Sequence, residues 1–250
     1  MSGHSKWSTI KHKKAATDAR RGKLFSRILR EITVAARLGG ADPKGNPRLR
    51  TAILDARSNS MPNDNIERAI KKGTGEIEAE VYEEVVYEGY GPGGVAMLVE
   101  GVTDNRNRTA GEIRHIFARN GGNLAEAGSV SWMFHRRGYF AIDKSVLDEE
   151  KLMELALELG ADDVSTEEED VYEIYTPMES FLSVQEELER RNVPTTARQL
   201  AMIPQNYLPV PEDRVRQLLR LLEALEDHED VQNVWTNMDV DEKVLEEQTR

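Results

Sequence analysis

Cysteine does not occur anywhere in the 250-residue sequence. Its absence removes disulfides, thiolate nucleophiles and cysteine-based zinc sites together, and fits a reducing compartment. Long apolar runs are also missing, and without a stretch of about 18 apolar residues nothing is available to span a bilayer. At 39% hydrophobic and 31% charged residues the composition is that of a soluble globular chain rather than a disordered or membrane-embedded one. The first residues, Met1 to Trp7, show neither the charged start, the apolar middle nor the small-residue cleavage site of a secretory signal. Export is therefore not expected, and neither is a membrane partner. The five histidines (His4, His12, His115, His135 and His228) are scattered, with no partner at metal-ligand spacing. Acidic runs such as Glu167 to Asp170 lack calcium-loop spacing, and no Ser/His/Asp set can be assembled from neighbouring positions. These absences point away from an enzyme: no catalytic residues, no metal and no small-molecule substrate are expected.

What is present is charge, divided unevenly. The formal net charge is −12, yet residues 1–76 hold 17 Lys and Arg against 7 Asp and Glu, leaving 16 against 38 for residues 77–250. A polyanion is drawn to a segment of +10 and repelled by one of −22, so its binding is oriented.

The first thirty residues carry little apolar patterning before Leu24 and are expected to order poorly alone. From there Leu24, Ile28, Ile32, Ala35 and Ala36 recur at helical spacing until Gly39-Gly40. A second helix is expected through Leu49, Ile53 and Leu54 to Ser58-Asn59, and a third after Met61-Pro62, where Asp64 and Glu67 resemble a capping box. The breaker Gly73-Thr74-Gly75 and the acids that follow place a domain boundary near residue 78. Beyond it, Val85–Tyr90 and Val95–Val102 read as a hairpin around Gly91-Pro92-Gly93-Gly94, and Asn105–Asn120 as a helix stopped by Gly121-Gly122. A strand is expected over Ser129–Phe134. The pattern restarts after Arg136-Arg137-Gly138 with strand Tyr139–Ile142, helix Glu149–Leu159, strand Val171–Thr176, helix Glu179–Arg190 and strand Ala197–Ile203. Helix Glu212–Leu225 and strand Val231–Thr236 follow. Read element by element, this is a helical segment followed by two α+β units in tandem, with helices on one face of each sheet.

The basic arm is the strongest functional signal. Lys6, Lys11, Lys13, Lys14, Arg20, Arg21, Lys23, Arg27 and Arg30 can neutralise phosphates, and Trp7 can stack on an unpaired base. The alternative is a solvated basic tail that balances the acidic body within the protein. Arg48 and Arg50 can extend the basic face. Arg106 and Arg108, at a strand-to-helix turn, can hold a phosphate with the exposed backbone N–H groups, although an Asx turn capping the helix explains that segment equally well. Lys71-Lys72 read as stabilising a helix C-terminus through its dipole. Gly89 to Gly94 lacks the Gly-Lys-Ser/Thr ending of a phosphate loop and reads as a tight hairpin.

Gly3-His4-Ser5-Lys6-Trp7, Ile10 to Lys14, Phe25 to Ile32, Asn46-Pro47-Arg48-Leu49-Arg50, Met61-Pro62-Asn63-Asp64-Asn65-Ile66, Tyr87 to Gly94, Thr103 to Arg108 and Asn120 to Leu124 closely resemble the YebC/PmpR family. Its members are described as probable transcriptional regulators, and some, with mitochondrial relatives, as translational activators at the ribosome. The resemblance implies an α+β protein of three domains around a cleft: a small helical domain (1–78), a discontinuous α+β domain (79–134 and 207–240) and an inserted α+β domain (135–206), both ferredoxin-like, then a tail (241–250). It implies a cytoplasmic protein without cofactor or enzymatic activity, a DNA-binding transcriptional regulator or, alternatively, a ribosome-associated translation factor that binds ribosomal RNA. Ala125-Glu126-Ala127 departs from the smaller polar residues of many members.

Overall fold

The computed structural model describes residues 18–241 and 244–245, with side chains from residue 22 onward. Helix α1 (Asp18–Gly39) begins ahead of the periodic run. Ile28, Ile32, Ala35 and Ala36 form its buried face, whereas Leu24, expected beside them, is 39% exposed. The helix closes on Gly40, whose φ of 85° lets its N–H reach the Ala36 carbonyl at 2.9 Å. Asn46 then fastens two helices to each other. Its Nδ2 donates to the carbonyls of Ala35 (2.8 Å) and Gly40 (2.9 Å), while its Oδ1 accepts the Leu49 N–H at 3.1 Å and so caps α2 (Pro47–Ser58).

In α3 (Asn63–Thr74) the expected capping pair of Asp64 and Glu67 does not form. Pro62 holds the cap position without a side-chain hydrogen bond, and Asp64 falls in the first turn, where its charge favours the helix dipole. Gly73 lets α3 cross α1 closely, since a Cβ there would stand 2.4 Å from the Thr33 carbonyl oxygen. Ile32, Leu49, Ala56, Met61 and Ile66 make up the core of this helical region.

Strands β1 (Glu83–Tyr90) and β2 (Ala96–Thr103) pair antiparallel as the expected hairpin. Its turn uses two left-handed glycines, Gly93 and Gly94, both at φ 81°. Helix α4 (Arg106–Arg119) leads to the short β3 (Asn123–Leu124). Of the strand expected over Ser129–Phe134 only Phe134 is strand, because the backbone ahead of it is already satisfied by a side chain. Glu88 accepts the N–H groups of Gly128 and Val130 at 2.7 Å and of Ser131 at 2.8 Å, and Ser131–Met133 forms a single 3₁₀ turn.

Strand β4 (Phe134–Asp143) runs through Arg136-Arg137-Gly138, where a restart was expected. Gly138 serves close packing rather than a turn: a Cβ would lie 2.2 Å from Thr176 Oγ1. Helix α5 (Glu149–Glu158), strands β5 (Asp163–Ser165) and β6 (Val171–Pro177), helix α6 (Phe181–Arg190) and strand β7 (Ala197–Pro204) follow. The strand order β5-β6-β4-β7, antiparallel throughout, is the ferredoxin-like arrangement. Phe140, Ile142 and Ile174 of the sheet pack with Leu152, Phe181 and Leu188 of the helices.

The chain continues through β8 (Leu208–Pro209), α7 (Glu212–Glu226), β9 (Val231–Thr236) and β10 (Met238–Asp239). Strand β9 pairs antiparallel with β2, completing a sheet of order β3-β1-β2-β9, and Phe117 of α4 and Leu218 of α7 cover its Met97 and Val99. The tandem reading is corrected by this pairing. Residues 132–207 form one compact unit, and the remaining described residues, before and after it in the sequence, form the other. The fold is α+β, with a helical N-terminal region and two α+β domains. Among the described residues no helix is long and apolar enough to cross a membrane.

Candidate nucleic-acid interface

Lys6, Trp7, Lys11, Lys13 and Lys14 lie outside the described residues, and of Arg20 and Arg21 only the helical backbone is described. Of the other candidate cations, Lys23, Arg30, Arg48, Arg106 and Arg108 pair with carboxylates of their own unit. Lys23 Nζ stands 3.3 Å from the Asp227 carboxylate and donates to its carbonyl at 3.2 Å. Arg27 is half-buried. Burial pushes its guanidinium pKa down against the pull of Glu226 and Asp227, and its Nε has no hydrogen-bond partner among the described residues. Arg30 reaches the Glu229 carbonyl and the Asp230 carboxylate, with its guanidinium 5.5 Å from the centre of the Tyr82 ring. Arg48 makes a two-pronged contact with Glu31 (2.6 and 3.0 Å) and a third hydrogen bond to Glu84 at 2.7 Å. These carboxylates hold it protonated beyond its ordinary range. Arg50 is half-buried on α2.

Arg106 lies 3.8 Å from Glu83. Arg108 bridges Asp104 at 2.7 Å and Asp230 at 3.0 Å. The turn that carries these two arginines is also an Asx cap, with Asn105 Oδ1 accepting the Arg108 N–H at 3.1 Å.

Asp230 is the meeting point that the sequence hides. Its side chain is fully buried; one oxygen faces Arg30 at 2.9 Å, and the other accepts from Arg108 at 3.0 Å and from the Thr109 hydroxyl at 2.7 Å. Burial pushes this carboxyl up, but the hydrogen bonds from Thr109 and Arg108 and the charges of Arg30 and Arg108 bring it below its ordinary value. Nearby, His228 Nδ1 accepts the Asp230 N–H at 3.1 Å, which leaves Nε2 to donate to Glu112 at 2.8 Å. Glu112, His228 and Asp230 thus bring three potential metal ligands within 4.8 Å of one another. Their donor atoms are taken up by hydrogen bonds, and a cation would have to displace two guanidinium groups.

A different set of cations is left over. Arg68, Lys71 and Lys72 on α3 are exposed and make no ion pair with any described residue. Arg68 and Lys72, four residues apart, share a face with Asn65. Facing them across a groove of about 450 Å³ are Ser26 and Arg30 of α1, with Tyr82 at one side. The sequence reading missed Arg68 and gave Lys72 only a dipole role; the signal that reveals both is the spacing 65, 68, 72 on one helical face.

The unit of residues 132–207 has a cavity of about 700 Å³ bordered by His135, Arg137, Glu173, Tyr175 and Tyr207. Glu173, buried, accepts the hydroxyls of Tyr139 and Tyr175, each at 2.9 Å. Burial and the Glu173 charge push the Tyr175 phenol far up, which fixes it as a neutral donor.

Comparison with known proteins gives the same outline throughout the chain. Residues 5–76 match the family model described as "TACO1/YebC protein N-terminal domain", and residues 82–238 the one described as "TACO1/YebC second and third domain". A probable transcriptional regulatory protein of Desulfotalea psychrophila is 57% identical over 248 residues, 99% of either chain. One of Geobacter sulfurreducens is 55% identical over 246 residues, covering 98% of this chain and 99% of its own. The crystal structure of a conserved hypothetical protein of Aquifex aeolicus superimposes with a TM-score of 0.82 at 50% identity, covering 90% of this chain and 92% of that one.

Proposed function

The chain belongs to the TACO1/YebC family, and from that premise we propose that it is a non-catalytic regulator of gene expression that binds nucleic acid through its basic helical region. DNA is the proposed target and transcription the proposed level, in line with the names its relatives carry. The observation that carries the reading is the charge division, +10 in residues 1–76 against −22 in the rest. Such polarity orients a phosphate backbone toward one end of the molecule. Arg30, Arg48 and Arg108 are partly spent on internal carboxylates, so the lysines of the arm and the unpaired cations of α3 are the groups proposed to meet phosphates. The acidic domains are proposed to shape the complex or recruit a protein, in the cytoplasm.

A second reading, a translation factor on ribosomal RNA, is favoured by one feature: two of the unpaired cations, Arg68 and Lys72, line a groove of about 450 Å³, the size of a nucleotide rather than of a duplex. Crosslinking in cells followed by sequencing of the attached nucleic acid separates the two. Recovery of chromosomal promoter DNA supports the first reading; recovery of ribosomal RNA, with co-sedimentation of the protein with ribosomes, replaces it with the second.

A further inference from the structure

We propose that the groove between α1 and α3 holds one nucleotide of an unpaired nucleic-acid strand, with its phosphate on Arg68 and Lys72. The proposal rests on the nucleic-acid reading above and adds to it where a strand enters and in what state.

Two helical stripes make the walls. On α3, Asn65, Arg68 and Lys72 stand at the three- and four-residue intervals that align side chains along one face, and on α1 Ser26, Arg30 and Thr33 do the same. Thr33 is inactive toward a ligand, because its hydroxyl already donates to the Leu29 carbonyl at 2.8 Å. Arg30 is neutralised by Asp230 and Glu229. Arg68 and Lys72 therefore supply the net charge of the groove. Among the described residues no carboxylate lines it, in a chain with 45 acidic residues. A groove lined by no carboxylate, with two uncompensated cations and the Asn65 amide, is a phosphate site by charge and by hydrogen-bonding capacity; the Ser26 hydroxyl, like that of Thr33, already donates to a backbone carbonyl, that of Gly22 at 3.2 Å.

The state of the strand follows from size and from Tyr82. About 450 Å³ lies within the range of sites that enclose small ligands, and a nucleoside enters such a space only when its base is unpaired. Tyr82 is half-buried at the side of the groove, with the Arg30 guanidinium over its ring. That supplies the aromatic surface single-strand sites use.

The test uses the full chain with fluorescein-labelled 12-nucleotide single strands, oligouridylate and oligothymidylate, and a 12-base-pair duplex, read by anisotropy over a salt series. Arg68→Gln with Lys72→Gln is expected to weaken single-strand binding about tenfold and to lower the salt slope by about 1.4, the share of two phosphates on a single strand. A control that removes the same charge off the groove, Arg37→Gln with Arg57→Gln, is expected to lose much less. Ser26→Phe fills the groove without changing charge and is expected to weaken single-strand binding as well. All these positions are exposed, so circular dichroism should report an intact fold. Equal losses for the two double variants, or an inert Ser26→Phe, would overturn the groove assignment. Binding of duplex alone by the unaltered chain would overturn it too and leave the broader nucleic-acid reading standing. Binding of neither probe would remove both.

Discussion

Arg30 of α1 and Asp230, next to β9, are joined at 2.9 Å although 200 residues separate them, and the carboxylate has no exposed side-chain surface. Arg108 closes on the same carboxylate at 3.0 Å. The helical region is thereby pinned to the α+β domain it precedes, with Lys23–Asp227 and Arg48–Glu84 as further ties. Part of the basic charge therefore serves the protein's own acidic face, and part, at Arg68, Lys71 and Lys72, makes no ion pair among the described residues.

Replacing Asp230 with Asn should destabilise the protein by about 3 kcal/mol, because a buried carboxylate is removed from under two guanidinium groups. Urea unfolding measures it. The sign with pH follows from the lowered carboxyl pKa: the contribution is complete above the unfolded value of about 3.9 and is lost as pH falls through the folded value. Asp230→Asn should accordingly show a shallower loss of stability below about pH 4; an equally steep loss would place the acid sensitivity elsewhere.

Glu88→Gln should cost roughly 1–3 kcal/mol, since an amide offers one acceptor where three backbone N–H groups now meet two carboxylate oxygens. Hydrogen exchange at Gly128, Val130 and Ser131 should accelerate more than at β1 and β2. Unchanged protection at these three amides would contradict the role given to Glu88.

Two glycines of the helical region should respond in opposite directions. Gly22→Ala, with nothing within 4 Å of the new Cβ, should stabilise by about 0.5–1 kcal/mol through helix propensity. Gly73→Ala forces a Cβ to 2.4 Å from the Thr33 carbonyl oxygen and should destabilise by roughly 1–3 kcal/mol. Thermal unfolding of both variants checks the α1–α3 crossing; a harmless Gly73→Ala would mean that the helices do not approach so closely.

Local chemistry was legible in the sequence. Helical periodicity located α1, α2 and α4, the glycine pair located the β1–β2 hairpin, and Asn105 behaves as the capping residue that the turn reading allowed. What escaped was set by residues distant in sequence. Arg136-Arg137-Gly138 looks like a turn but is strand, because Gly138 answers to Thr176 across the sheet. Ser129–Phe134 looks like a strand, but the N–H groups of Val130 and Ser131 belong to Glu88. Strands β3, β5, β8 and β10 span two or three residues each, too few for a period-two pattern to register. At the site, charge counting singled out Arg30, Arg48 and Arg108 without revealing that Asp230, Glu31 and Glu84 engage them, and it passed over Arg68, which its own surroundings leave unpaired.

The central claim is that the basic end of the chain meets phosphates. Its most direct measurement is the salt dependence of nucleic-acid affinity for the unaltered protein and for the variant carrying Lys6→Gln, Lys11→Gln, Lys13→Gln and Lys14→Gln. The unaltered protein should bind with an affinity that falls steeply with salt. The variant should bind more weakly, with a slope on duplex DNA reduced by up to about 3.6, at roughly 0.9 for each phosphate that a lysine no longer neutralises. An unchanged affinity and slope in the variant would contradict the claim.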